Sequence, residues 1–242
     1  MNIRQIASPH FDVRQNGTRP VMLLMHYTTL SAAETVHVFT GRNTNPNGQR
    51  VSAHYMIDKQ GHIAQFVDEK ERAWHAGVSY WGGNTDINSA SIGIELVNAG
   101  HERGYRPFPA AQMAALVELS SDIMARQKIK PASVLAHSDV APDRKRDPGE
   151  LFGWEMLAGK GIGLWPKPNA DHYTRATKYL QDKSFIKEAL GRYGYNTAHD
   201  LDTLVCAFQR HFVPEAFHAL DAVGVVDRET LARLLALIDQ KS

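Results

Sequence analysis

Three side chains suited to gripping a divalent cation stand far apart in this chain. His26 ends the apolar run "VMLLMHYT" (21–28), and His137 and Asp147 lie in "AHSDVAPDRKRDPGELFGW" (136–154). Two imidazoles, one carboxylate and an open fourth position are the donor set of a catalytic zinc site, with one Zn2+ per chain. Zinc held that way lowers the pKa of a bound water to about 7 and polarises a carbonyl. Glu95, in "SIGIELVN" (91–98), would take that water's proton and hand it to a leaving nitrogen. Lys145, two residues before Asp147, would hold the developing oxyanion. Together these groups would hydrolyse an amide.

Plainer roles are open to the same residues. A His ending an apolar strand often only packs, Asp147 before Pro148-Gly149 suits an ordinary turn, and Arg144-Lys145-Arg146 suits a solvated loop face. Glu95 resists such a reading, because a buried carboxylate without a partner costs several kcal/mol. Trp74 and His75, in "RAWHAG", suit a sugar or peptide groove, or else a buried Trp beside a His. His54 reads as packed or hydrogen-bonded, and Cys206 as a small hydrophobe on the apolar side of a helix. Spacing alone leaves a metallohydrolase as one reading.

The elements that would carry these residues alternate between strand and helix. Strands are expected at 21–28, 91–98 and 132–138, and a hairpin at 53–58 and 62–67 around Lys59-Gln60-Gly61. Helices are expected at 31–40, with Ser31 as N-cap, and at 108–129, where Met113, Leu116, Val117, Ile123 and Met124 fall at helical spacing. This is an α/β pattern, with the sheet covered on both faces and ligands meeting at the C-terminal strand ends. "GKGIGLWPKPNA" (159–170) reads as a linker, which divides the chain into a catalytic domain over 1–168 and an all-α domain over 169–242. Three helices are expected in the second part. One ends at Gly191, one carries the stripe Leu201, Leu204, Val205, Phe208 and Phe212, and one starts at the N-cap Asp227 and buries Leu231, Leu234, Leu235 and Ile238.

Bulk composition narrows the function. With 27 Lys plus Arg against 26 Asp plus Glu, the chain lacks the positive excess of a nucleic-acid binder. A single cysteine among 242 residues excludes an intramolecular disulfide framework and a Cys-rich zinc ribbon, whereas twelve His residues favour metal or acid/base work. No apolar run is long enough for a transmembrane segment. The opening "MNIRQIASPHF" lacks an export pattern, so the protein stays in the cytoplasm or begins after a removed export signal.

In the order "MHYT", "SAHYMIDKQGHIAQFVDEKERAWHAG", "NSASIGIELVN" and "HSDVAPDRKRDPG", residues of about 8–168 resemble the zinc-dependent N-acetylmuramoyl-L-alanine amidases of the amidase-2, peptidoglycan-recognition-protein-like family. The resemblance implies a mixed central sheet flanked by helices. It also implies cleavage of the amide between the lactyl group of N-acetylmuramic acid and the L-alanine of the stem peptide, in peptidoglycan or soluble muropeptides. It places zinc on His26, His137 and Asp147, the catalytic carboxyl on Glu95 and the transition-state lysine on Lys145. Some relatives use Cys as third ligand and a hairpin Tyr as catalytic partner; here Asp147 and Ala53 stand at those positions, so the chain resembles the subgroup that relies on Glu. The tail, through "AFQRHF" and "GVVDRETL", resembles a three-helix peptidoglycan-binding domain. That resemblance implies a periplasmic or outer-membrane location, and a tail whose removal spares activity on small muropeptides. The alternatives are a recognition module that binds muropeptide without cutting, and a zinc hydrolase of a different muropeptide bond.

Overall fold

The site is positioned by a sheet whose central strands run parallel. The computed structural model describes residues 1–41 and 48–241. In chain order the strands and helices are β1 (Ile3–Gln5), β2 (Phe11–Val13), β3 (Met22–Tyr27), α1 (Ala32–Phe39), β4 (Tyr55–Ile57), β5 (Ile63–Gln65), β6 (Glu71–Ala73), α2 (Ile87–Ala90), β7 (Ser91–Leu96), α3 (Ala110–Gln127), β8 (Val134–Ala136), α4 (His137–Val140) and α5 (Trp154–Ala158). Four further helices follow, α6 (Ala170–Tyr179), α7 (Lys183–Tyr193), α8 (Leu201–Phe212) and α9 (Arg228–Lys241). The main sheet has the order β1-β5-β4-β7-β3-β8, with β4 and β5 antiparallel and the remaining pairs parallel, so it is mixed as expected. β2 and β6 form a small antiparallel ribbon beside it.

Local chemistry sets several boundaries. Ser31 caps α1 in a capping box with Glu34, which satisfies donors at the helix start reciprocally. The strand expected over 132–138 is confined to 134–136, because the Asp139 carboxyl accepts the Ala136 N–H at 2.8 Å and turns the chain into the single turn α4. In the tail, α7 runs past Gly191 to Tyr193 and stops at Gly194, whose φ of 145° suits glycine. Among the described residues four α-helices follow residue 169 rather than the three expected. The additional α6 fully buries only His172 and Ala176, with Tyr173 and Tyr179 packed part-buried on the core, so its apolar stripe is too thin to register as periodicity; Asn169 caps it.

Each strand alternates its side chains between two faces, so parity decides what meets what. Leu23, Met25, Ile92 and Ile94 face α3, where Leu116, Leu119 and Ile123 close the core. Leu24 and Leu135 face the other way, into a core shared with Ala76, Trp81 and Ile87 and with Leu204, Phe208 and Phe212 of α8. His26 has the parity of Leu24, Glu95 is the register partner of His26, and His137 follows Leu135 by two. The chemistry and the helical tail therefore occupy one face of the sheet.

Candidate metal centre

His26 lies near the C-terminal end of β3 and Glu95 near that of β7, while His137 is the first residue after β8. Asp147 arrives on the loop beyond, tied back by the Ser138 N–H, which donates to the Asp147 carbonyl at 3.0 Å. Three atoms converge: His26 Nδ1 is 2.9 Å from His137 Nδ1, and each is 3.0 Å from Asp147 Oδ2. All three residues are buried. Burial presses the His26 imidazole down to about 4.

The outer partners of the rings fix their tautomers. His137 Nε2 donates to the Ala76 carbonyl at 3.0 Å, leaving Nδ1 as a bare lone pair. His26 Nε2 donates to His75 Nδ1 at 3.0 Å; His75 Nε2 faces Ser91 Oγ at 3.4 Å, and that hydroxyl donates to the Ile87 carbonyl at 2.6 Å. Neutral rings in these tautomers aim two nitrogen lone pairs and a carboxylate oxygen at one point. Such a trio repels itself unless a cation lies among its members. Zinc takes N and O ligands with bonds of about 2.0–2.2 Å, lengths able to bridge a triangle of these edges. The donor set therefore fits the ion.

The cluster forms part of a cleft of about 1170 Å³ that Glu95, Lys145, Trp74 and His75 also line. Glu95 Oε2 is shut off from solvent and has no hydrogen-bond partner. Burial, reinforced by Asp147 and opposed by Lys145, pushes its carboxyl up to about 8. Lys145 is half-buried on the cleft wall. Its neighbour Arg144 is exposed, as a solvated loop face would be, and is also a clip: it donates to the carbonyls of Ala76 and Val78, which pins the "AWHAGV" loop.

The other expected residues separate. Trp74 lines the cleft beside Ser52 and Val51, with His10 stacked parallel to it at 6.0 Å. His75 supports His26 from behind, packed so closely on β7 that a Cβ at Gly93 would lie 2.6 Å from its ring. His54 is buried and accepts the Gly93 N–H at Nδ1. Cys206 is half-buried on the cleft wall, 3.4 Å from Arg210 Nη2, not in the apolar stripe expected. Sequence reading missed Ser91, Ser138 and Asp139; the only advance signal was a carboxyl two residues after a candidate ligand. A second cavity, of about 780 Å³, lies around Arg14, Glu69 and Arg126, where the charges satisfy one another: Glu69 accepts from Arg126 twice, from Tyr55 and from Gln127.

Comparison with known proteins places the chain in a family. Residues 16–150 match the Amidase_2 family model, described as N-acetylmuramoyl-L-alanine amidase. N-acetylmuramoyl-L-alanine amidase AmiD of Escherichia coli K12 is 38% identical over 239 residues, covering 90% of this chain and 82% of the relative. The 1,6-anhydro-N-acetylmuramyl-L-alanine amidase AmpD of Haemophilus influenzae is 39% identical over 166 residues, 63% of this chain and 88% of the relative. Among solved structures, E. coli AmiD in complex with the substrate anhydro-N-acetylmuramic acid-L-Ala-D-γ-Glu-L-Lys superposes with a TM-score of 0.76 at 37% identity, covering 95% of this chain and 92% of that one. AmpDh3 of Pseudomonas aeruginosa with anhydromuramic pentapeptide gives 0.77 at 31% identity, with 96% of each chain covered.

Proposed function

The chain belongs to the Amidase_2 family of N-acetylmuramoyl-L-alanine amidases, and we propose from that premise that its cleft hydrolyses the lactyl–L-alanine amide with zinc on His26, His137 and Asp147. The observation that carries the proposal is the register pair His26–Glu95, which sets an unpartnered acid/base group beside the converging ligand atoms. When bound, the ion supplies Lewis acidity to the scissile carbonyl and makes water a better nucleophile. Glu95 accepts the proton released as the water oxygen bonds to the carbonyl carbon, and returns it to the alanine nitrogen as the C–N bond breaks. The unpartnered Oε2 leaves the group free for that exchange. Lys145 offsets the negative charge that builds on the carbonyl oxygen. Trp74 is proposed to bound the groove on the substrate side, and His75 to orient His26 rather than to touch substrate.

The full set of ligand atoms with an acid/base group beside it supports cleavage over recognition alone. Relatives crystallised with anhydro-muropeptides support the same ligands here. A periplasmic or outer-membrane location remains part of the proposal and rests on the tail's resemblance to wall-binding modules. Mass spectrometry of an anhydro-muropeptide digest tests the bond: free stem peptide and intact anhydro-sugar are expected, whereas loss of acetate or cleavage within the peptide would overturn it.

A further inference from the structure

The motif "AFQRHF" (207–212), which by resemblance belongs to a wall-binding module, lies wholly inside the protein. None of its residues is more than 7% exposed, and Arg210 alone of them lines the cleft, so the motif presents no outer binding face. It reaches the loop that carries two of the three metal ligands. His211 Nδ1 donates to Asp139 Oδ2 at 2.7 Å, and Tyr195 Oη donates to Asp139 Oδ1 at 2.7 Å. The His211 ring is held between Trp154, at 3.8 Å, and Phe212, at 3.7 Å, so its direction is fixed. Asp139 passes that constraint on, because its Oδ2 also holds the Ala136 N–H, one residue before His137. On the other side, Arg210 Nε stands 3.7 Å from Glu150 Oε2, three residues beyond Asp147. Glu150 in turn takes His101 Nε2 at 2.9 Å, and His101 Nδ1 meets the hydroxyl of Tyr27, the residue after His26.

We propose that the helical tail braces the metal-ligand loop: Tyr195 and His211 are positioning residues that hold Asp139, and through it the backbone of 136–139, where His137 meets His26 and Asp147. The inference rests on the metal reading above. Asp139 is buried and takes all three of its donors from within the protein, two of them from the tail. Losing a donor leaves a buried oxygen short of partners, and the loop moves to find one. Groups supporting metal ligands from outside typically change metal affinity 10–100-fold. The shared core adds to the brace, since Trp81 meets Tyr193 and Tyr195 edge-on, and Leu24 and Leu135 lie beneath the tail. Removing residues 169–242 would uncover that core and strip Asp139 of two donors, so the expectation of a freely separable tail does not follow from the structure.

The test uses full-length protein with Tyr195→Phe, His211→Phe and His211→Asn. Zinc affinity is read by competition with a chromophoric chelator, ligand geometry by the absorption bands of the cobalt(II)-loaded protein, and folding by thermal melting. Phe at 211 keeps the ring stack but removes the donor, whereas Asn returns an N–H close to where Nδ1 lay. Tyr195→Phe and His211→Phe should each weaken zinc about 10-fold and shift the cobalt bands. His211→Asn should recover most of the loss, which a stacking role alone would not predict. Folded variants with wild-type zinc affinity and an unchanged cobalt spectrum would overturn the brace. Should His211→Phe fail to fold, Tyr195→Phe, which deletes one oxygen, decides by the same two readouts. Wild-type protein that takes up no zinc would sink the metal reading as well; silent variants of a zinc-binding wild type sink the brace alone.

Discussion

Eight residues apart, one in α4 and one on the loop beyond it, Asp139 and Asp147 are both buried carboxyl groups in contact with imidazole, yet they sit in opposite kinds of cluster. Around Asp139 every group points inward: Ala136 N–H, Tyr195 Oη and His211 Nδ1 all donate, and the carboxyl is satisfied. Around Asp147 the acceptors face one another, because the outer nitrogens of His26 and His137 are committed to His75 and Ala76. One cluster is complete as protein; the other has the ligand atoms to hold a cation, which is the proposal made above. The contrast shows that burial and a His–Asp contact do not identify a metal centre. The direction of the lone pairs, and the cleft they open on, are what favour the proposed metal at Asp147 over Asp139.

The largest effect should separate these clusters outright. His26→Ala or Asp147→Ala should abolish stoichiometric zinc and reduce turnover to background, whereas Asp139→Asn should still bind zinc when the metal is saturating. Equal metal loss in all three, measured by elemental analysis, would erase the distinction. Next comes Glu95→Gln, which should keep full zinc content while turnover falls about 10²–10⁴-fold, the range general acid–base catalysis supplies. Smaller again is Gly93→Ala. Its new methyl would lie 2.6 Å from the His75 ring, and displacing the support of His26 should weaken zinc by about 10–100-fold in chelator competition. Unaltered affinity would show that His75 does not orient the ligand.

The smallest effect is thermal and depends on pH. In protein stripped of metal, the Glu95 carboxyl is pushed up to about 8 from an ordinary 4.5. Between those values the unfolded chain has released a proton that the folded protein keeps, so this group lowers stability progressively as pH rises through that window. Glu95→Gln should leave melting little changed near pH 4.5 and raise it increasingly toward pH 8, by about 2–4 °C for each kcal/mol relieved. A gain that is flat across this window, seen by calorimetry, would show that Glu95 is not held protonated by burial.

Legibility in the sequence follows the length and chemistry of each feature. β3, β7, α1 and α3 were readable because apolar period and caps act locally; "SIGIELVN" even marks its odd carboxylate. β1, β2 and β6 were not, since three residues cannot display a period, and β1 and β2 are largely exposed. That His26, His137, Asp147 and Glu95 belong together was legible through the family resemblance, since each alone also suits a plainer role. Roles set by distant partners were hidden. His75 looked like a groove residue until its ring was seen against Gly93 and His26. The stripe through "AFQRHF" is legible as a buried helix face, but not what it packs on: Leu24 and Leu135 of the sheet. Nothing local in Asp139 announces Tyr195, 56 residues away, or His211, 72 residues away.

The central claim is that the lone pairs of His26, His137 and Asp147 are closed by one catalytic ion. Elemental analysis of native protein in parallel with anhydro-muropeptide turnover, before and after chelation, tests it most directly. The account predicts stoichiometric zinc, loss of turnover with its removal, and recovery of both on adding zinc back. Full turnover by metal-free protein would contradict it.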